Sequence, residues 1–301
     1  MYTKPTAPRS IGGVLDSTFS LWLPAVKKIW LLAIIPQLLS SGVLVYEYFV
    51  VGPNALVQTT RLGLAGGTDA VGSIMNIVIA IITLGFYNAM WARANDAAAK
   101  GSMSFGESLS VGFSRWGHAF GFGILMVLAL LPVIFFVVMI GGQSTTGQAP
   151  QPPSGAAVLF VFVWGLVFMW AFGRLFLALP IIVVEDESAF GAIRASWVLT
   201  RGHWWRCTAI NLVITIVAYI IFVVFGLVLA AIGIRSAMHG GAAPTLGTGM
   251  LVAMMLMGIV STLVFTPLIL SAFLSIYYDL KMRKEGTDLA GRVDALGSGQ
   301  A

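Results

Sequence analysis

Six runs of apolar residues divide the chain, at approximately 29–51, 71–91, 120–140, 156–179, 209–234 and 250–274. A helix rises 1.5 Å per residue, so about 20 apolar residues cross the roughly 30 Å hydrocarbon core of a bilayer. Each run therefore predicts a transmembrane helix. Pro36, Pro132 and Pro267 lie inside three of them, which spanning helices tolerate where neighbours satisfy the freed carbonyls. The first run is too long and too far from the start for the core of a signal peptide, and is expected to stay as a span.

A second pattern precedes each pair of runs. Ile11, Leu15, Phe19 and Trp22 share the offsets of Phe105, Leu109, Phe113 and Trp116, with Gly12 and Gly106 in the same place. That spacing makes one apolar stripe along a helix. A third segment, Phe190 and Gly191 followed by Ile193, Trp197 and Trp204, keeps the start but slips by a residue. Ser10, Ser104 and Ser188 stand where N-caps belong, and Ser104 with Glu107 reads as a capping box. The predicted fold is all-α and integral to the membrane: six transmembrane helices and three cytoplasmic-side amphipathic helices, arranged as three repeats of one surface helix and two spans. The chain reads as a single polytopic domain, with units at about 10–91, 104–179 and 188–280 and a tail at 281–301. The surface helices have two readings, as interfacial helices with Trp at headgroup depth or as linkers packed on the bundle. A pseudo-threefold arrangement of the units is expected from the repeat.

Composition agrees with a membrane protein: charged residues make up 10% of the chain, against about 25% in soluble domains. Orientation follows from Lys and Arg in the connections. Fourteen of the seventeen lie on one side, Arg61 and Arg235 on the other, and Arg174 within a span. Both termini are thus expected in the cytoplasm. The outer connections at 141–155 and 236–249 lack carboxylates and are rich in small and turn-forming residues. They read as connectors without a folded outer domain. The net charge of +5 is spread along the chain, which suits anionic headgroups better than nucleic acid.

Little hydrolytic or redox chemistry can be assembled. One cysteine, Cys207, excludes an intrachain disulfide and any multi-cysteine metal centre. The histidines fall at span ends or in a loop, and no HExxH, Walker A or dinucleotide fingerprint occurs. The acidic run Glu185, Asp186 and Glu187 reads as a solvated turn. Catalytic residues, metals and cofactors are not expected. Gln37, Asn76 and Asn211 read as interhelical hydrogen-bonding groups, and the Met cluster at 250–257 as packing filler. No carboxylate lies near a span midplane, so ion-coupled transport lacks its usual acceptor.

The one intramembrane arginine, Arg174, costs about 2.5–3.5 kcal/mol at mid-bilayer and less when it snorkels, so it calls for a partner. Glu185 lies on nearly the same helical face but about 16 Å on. Asn88, and Asp279 beside Tyr278, are expected at a similar depth, giving an inner polar layer. This layer either fixes helix packing or takes an anionic ligand or headgroup. Arg194, Trp197, Arg201 and Trp204 complete the candidate set on the third surface helix.

Two stretches carry a family resemblance. The ending LSIYYDLKMRKEGTDL, and the block containing Arg174, Pro180, Glu185, Ala195, Ser196, Trp197, Leu199, Thr200 and Trp204, resemble the bacterial membrane-domain family related to glycerophosphoryl diester phosphodiesterase membrane domains, which includes YciC-like inner-membrane proteins. The IGGVLDSTF start fits the same family, and Lys281 stands where the family more often has arginine. The resemblance implies a six-span inner-membrane protein without the phosphodiesterase's catalytic domain. The expected role is non-catalytic, in lipid or envelope homeostasis, with anionic lipids as partners and no nucleic acid. A transporter or channel for a small or amphipathic solute is the alternative. Small residues such as Gly165, Ala171 and Gly173 offer a surface for packing within the chain, against another copy or against another membrane protein.

Overall fold

A computed structural model of the chain describes residues 8–52, 70–142, 155–239 and 248–298. Among them the helices in chain order are α1 (Ile11–Tyr46), α2 (Ala70–Ala99), α3 (Phe105–Ser114), α4 (Trp116–Gly142), α5 (Gly155–Leu175), α6 (Ala178–Val184), α7 (Ala189–Thr200), α8 (Trp204–His239) and α9 (Thr248–Ser298). A π-helical turn, Glu47–Val51, continues α1. No strand occurs among the described residues. Five helices are long and apolar enough to cross a membrane, and the pair Phe105–Ser114 and Trp116–Pro132, bent by 52°, makes up to six. The expected outer connections fall largely on residues 143–154 and 240–247, and these, like Arg61, lie outside the described residues.

The long helices form a closed ring in which each packs on the next, α1 on α2, α2 on α4, α4 on α5, α5 on α8 and α8 on α9, and α9 returns to α1. They are apolar on most faces, so large side chains such as Phe162, Leu212 and Tyr219 stay exposed outward. Lipid is the solvent that suits such a surface. The buried faces of α1 and α9 carry large side chains such as Leu21, Ile29, Leu274 and Tyr277, whereas that of α2 is marked by small residues. On α2 these are Gly85, Ala89, Ala92, Ala94, Ala97 and Ala98. Close backbone approach lets helices pack where hydrocarbon gives no driving force. Gly112 shows how tight this is, since a Cβ there would lie 2.4 Å from the Gly85 carbonyl oxygen and 2.6 Å from the Ala89 nitrogen.

The short helix α6 fills the basic end of the ring, against α2, α4, α7 and α9, with Ala178, Pro180, Ile181, Ile182 and Val183 buried. Proline explains the break before it. Pro180 has no N–H to donate to the carbonyl four residues back and its ring crowds that carbonyl, so α5 ends at Leu175 and the chain turns before continuing.

The three amphipathic segments depart from expectation in one respect. The first is not a separate helix: α1 runs unbroken through Pro24, because Val14, Thr18, Leu21, Ala25, Ile29 and Leu32 form one continuous buried stripe. In all three segments the fully buried face is offset from the large apolar stripe, whose Leu15, Trp22, Phe105, Leu109 and Ile193 pack half-buried against the core. Counting from the capping serine, the fourth and eighth positions are buried: Val14 and Thr18, Ser108 and Gly112, Ala192 and Ser196. Ile11, Phe19, Phe113 and Trp197 of the stripe remain exposed.

Candidate functional site

The three capping serines adopt nearly the same backbone conformation, with φ/ψ of −67/169 at Ser10, −73/166 at Ser104 and −66/163 at Ser188. Each hydroxyl accepts from the backbone N–H three residues on, at 3.1, 3.2 and 3.1 Å. Ser104 and Glu107 complete the expected capping box. The Ser104 backbone N–H holds the Glu107 carboxyl below its usual pKa.

Beyond the caps, three tryptophans tie the ring together. Trp22 donates its indole N–H to the Val264 carbonyl (3.1 Å), Trp116 to Ile81 (2.8 Å) and Trp204 to Trp170 (3.3 Å). Fifteen residues past each accepting carbonyl stands an acid: Asp279 after Val264, Asp96 after Ile81 and Glu185 after Trp170. Every one of these carboxylates is paired. Lys28 lies 2.7 Å from Asp96, and Arg206 lies 3.0 Å from Asp279. Both cations sit eighteen residues past their capping serines, Ser10 and Ser188. The same position after Ser104 is Phe122, which is apolar and buried. Glu185 is instead reached from α9, by Lys281 at 2.7 Å and by the Tyr277 hydroxyl. Burial works to raise the Glu185 pKa, but the bonds from Lys281 and Tyr277 hold it below the usual carboxylate range.

Asp279 carries the densest network. It is 2% exposed and also accepts from the Arg9 backbone N–H (2.8 Å) and from Arg283 (3.0 Å), while Arg206 and Arg283 both donate to the Arg9 carbonyl. A buried carboxylate is tolerable only with such compensation. His203, just before α8, is held below its usual pKa by burial and by the charges of Arg283, Lys284 and Arg206.

Arg174 occupies a different environment. Its guanidinium carbon lies 5.7 Å from the Trp170 ring centre and 5.3 Å from that of Trp197, within cation–π range. Nε and Nη1 are buried without a hydrogen-bond partner among the described residues. Its backbone carbonyl, near the end of α5, accepts from the Ser196 hydroxyl at 2.7 Å and the Thr200 hydroxyl at 3.5 Å. Helix α7 is thereby pinned to α5 at the arginine. Trp170 and Trp197 meet edge to face at 5.3 Å, and both keep an exposed edge.

The candidate residues thus divide among separate places. No hydrogen bond or ion pair joins Asn88, Arg174 and Asp279 to one another among the described residues. Asn88 donates to the Gly112 carbonyl at 3.2 Å, where α3 packs on α2. Tyr278 donates to Asn95. Trp197 sits by Arg174, Trp204 reaches the Trp170 carbonyl and stacks edge-on against Trp205, and Arg194 and Arg201 are exposed. Sequence reasoning missed Trp170, four residues before Arg174 and so on its face of the helix. It also missed Asp96, Lys28 and Arg206 as paired groups, although their equal spacing from the caps and acceptors was there to be counted. Among the described residues no group of three or more His, Cys, Asp or Glu could hold a metal ion.

Apolar helices closing a ring, with ion pairs gathered at one end, define a multi-pass helical integral membrane protein. Residues 154–290 match the family described as the membrane domain of glycerophosphoryl diester phosphodiesterase. That match runs from the start of α5 into the end of α9, so it contains Arg174, the Glu185 pair and the Asp279 network. It is a match to the membrane domain and not to a catalytic one. No curated protein and no solved structure matches the chain.

Proposed function

We propose that this is a non-catalytic inner-membrane protein that engages the phosphate of anionic lipid headgroups at its cytoplasmic face, in lipid or envelope homeostasis. The reading rests on Arg174: a guanidinium between two indoles, with buried N–H groups that lack an acceptor among the described residues, beside an outer surface that suits lipid. An unsatisfied buried donor costs about 1–3 kcal/mol, and a phosphate oxygen is the acceptor a bilayer supplies at that depth. Indole rings at headgroup depth are the usual membrane-interface arrangement.

The basic end, which carries Lys28, Arg206, Lys281 and Arg283, is the cytoplasmic end in this reading, by the positive-inside rule. The chain is three units of one amphipathic segment and two spans set around a pseudo-threefold axis, with the first unit's segment continuous with its span. Matching cap geometry, the indole-to-carbonyl bonds and the acid fifteen residues on all favour that arrangement. Each tryptophan joins the second span of the preceding unit, and the first unit's Trp22 closes the circle on the third unit's α9.

Native mass spectrometry of the protein extracted with its lipids, wild type beside Arg174→Ala at matched delipidation energy, tests the lipid reading. Retention of a defined anionic lipid by the wild type and its loss from the variant is the expected result. Equal retention, or none in either, makes Arg174 a packing residue and turns the question to solute flux in proteoliposomes.

A further inference from the structure

The three capping serines set the outward faces of their segments in register. Counting from each cap, the second, sixth, ninth and thirteenth positions follow one another at i, i+4, i+7 and i+11, which is one stripe along a helix. Every one of these positions is exposed: Gly12, Asp16, Phe19 and Leu23 after Ser10, Gly106, Ser110, Phe113 and Gly117 after Ser104, and Phe190, Arg194, Trp197 and Arg201 after Ser188. The three stripes share a place in the fold and differ in chemistry. Only the third alternates an aromatic ring with a guanidinium, twice over.

Packing does not account for that difference. The opposite face carries each segment onto the bundle, through Ala192 and Ser196 on α7 as through Ser108 and Gly112 on α3. Helix α3 keeps this contact with Gly106, Ser110 and Gly117 on its outward stripe, so the fold needs no arginine there. The side chains of Arg194 and Arg201 form no hydrogen bond or ion pair among the described residues. Phe190 is 73% exposed, and Trp205 at the start of α8 is 77% exposed.

Trp197 ties the stripe to a depth. It meets Trp170 edge to face, and α5 leads away from Trp170 with Val163, Leu166 and Val167 exposed. The stripe therefore begins where the apolar outer surface ends. Headgroups occupy that boundary, where aromatic rings settle and long cationic side chains extend to phosphate.

We infer that the outward stripe of α7 is a contact for anionic phospholipid headgroups, which it gathers at one sector of the ring, beside α5 and α8. The uncharged stripe of α3 leaves its own sector without that preference. The inference rests on the basic end lying at the cytoplasmic leaflet, as in the reading above, and not on Arg174 holding a phosphate. One basic residue near a negative membrane surface is worth about fivefold in local lipid preference.

The test uses the full chain in phosphatidylcholine vesicles. Cys207 is buried, so a cysteine placed on the surface is the reactive one. A fluorophore is attached at Val198→Cys on α7 or at Ser114→Cys, the same position after its cap on α3, and quenching by brominated phosphatidylglycerol is compared with quenching by brominated phosphatidylcholine. A preference for phosphatidylglycerol is expected at 198 and not at 114. It falls about fivefold with Arg194→Gln and reaches the α3 level with Arg194→Gln and Arg201→Gln together. Both arginines are exposed, so these replacements leave the packing intact. Equal preference at the two labels, or a preference at 198 that survives the double replacement, overturns the inference. Quenching by neither lipid at 198 also overturns it, and places the stripe in the cytosol, where an acidic protein segment is the partner it suits. Arg174→Gln separates the two readings: a preference lost with that variant and kept in the double replacement overturns the stripe and leaves the Arg174 reading standing.

Discussion

Arg206 and Asp279 form an ion pair at 3.0 Å whose carboxylate is 2% exposed. The same carboxylate holds the backbone of Arg9, so the residue before the first helical cap is fastened to the last span. Asp279→Asn leaves two arginines facing a neutral group and is expected to cost roughly 3–5 kcal/mol, the usual loss when a buried pair is broken on one side. Thermal unfolding in a neutral detergent measures it. A change within error of wild type would mean that solvent screens the network more than its burial implies.

Gly112→Ala probes the α2–α3 contact. The added methyl would meet the Gly85 carbonyl and the Ala89 nitrogen, both backbone, and neither can move without shifting a helix. Overpacking of this kind costs about 1–3 kcal/mol. Gly106, where an added methyl would find no atom within 4 Å, is the control and should tolerate Ala better than Gly112 does.

Removing the indole donors one at a time tests the repeated joints. Trp22→Phe, Trp116→Phe and Trp204→Phe each delete one hydrogen bond to a helix carbonyl while keeping most of the apolar contact. Losses of about 1 kcal/mol apiece are expected, similar among the three. An effect confined to one of them would argue against equivalent joints.

Ser196→Ala removes the hydroxyl that donates to the Arg174 carbonyl. The expected destabilisation is about 1 kcal/mol, together with faster hydrogen exchange across α7, because the helix loses a tether to α5. Unchanged exchange would show that apolar packing alone holds α7 in place.

Acid should act in a defined order. His203 is harder to protonate when folded than unfolded, so the unfolded chain binds the extra proton and stability falls as pH drops through the ordinary histidine range. Glu185 is also depressed, and its contribution is present above the ordinary carboxylate range and lost only below it. His203→Gln should therefore flatten the stability profile near pH ~6.5, and Glu185→Gln should flatten it near pH ~4. Scanning unfolding temperature against pH separates the two.

The apolar runs determined the all-helical, membrane-spanning class by themselves, because hydrocarbon admits only chains that satisfy their own backbone. The capping serines were equally legible, since the cap is a local bond spanning three residues. Partner choice was not. Asn88, Arg174 and Asp279 share a depth along the sequence, but one sequence coordinate says nothing of direction around a ring. The structure sends them to Gly112, to two indoles and to Arg206. Likewise, apolar spans carry no amphipathic signal to mark the buried face; on α2 that face follows the small residues that let backbones approach, and on α1 a stripe that includes Leu21, Ile29 and Leu32. Glu185 shows the limit most plainly. Its neighbours in sequence offered a solvated turn, and its partners came from ninety-odd residues away, on a helix that only the closed ring brings alongside.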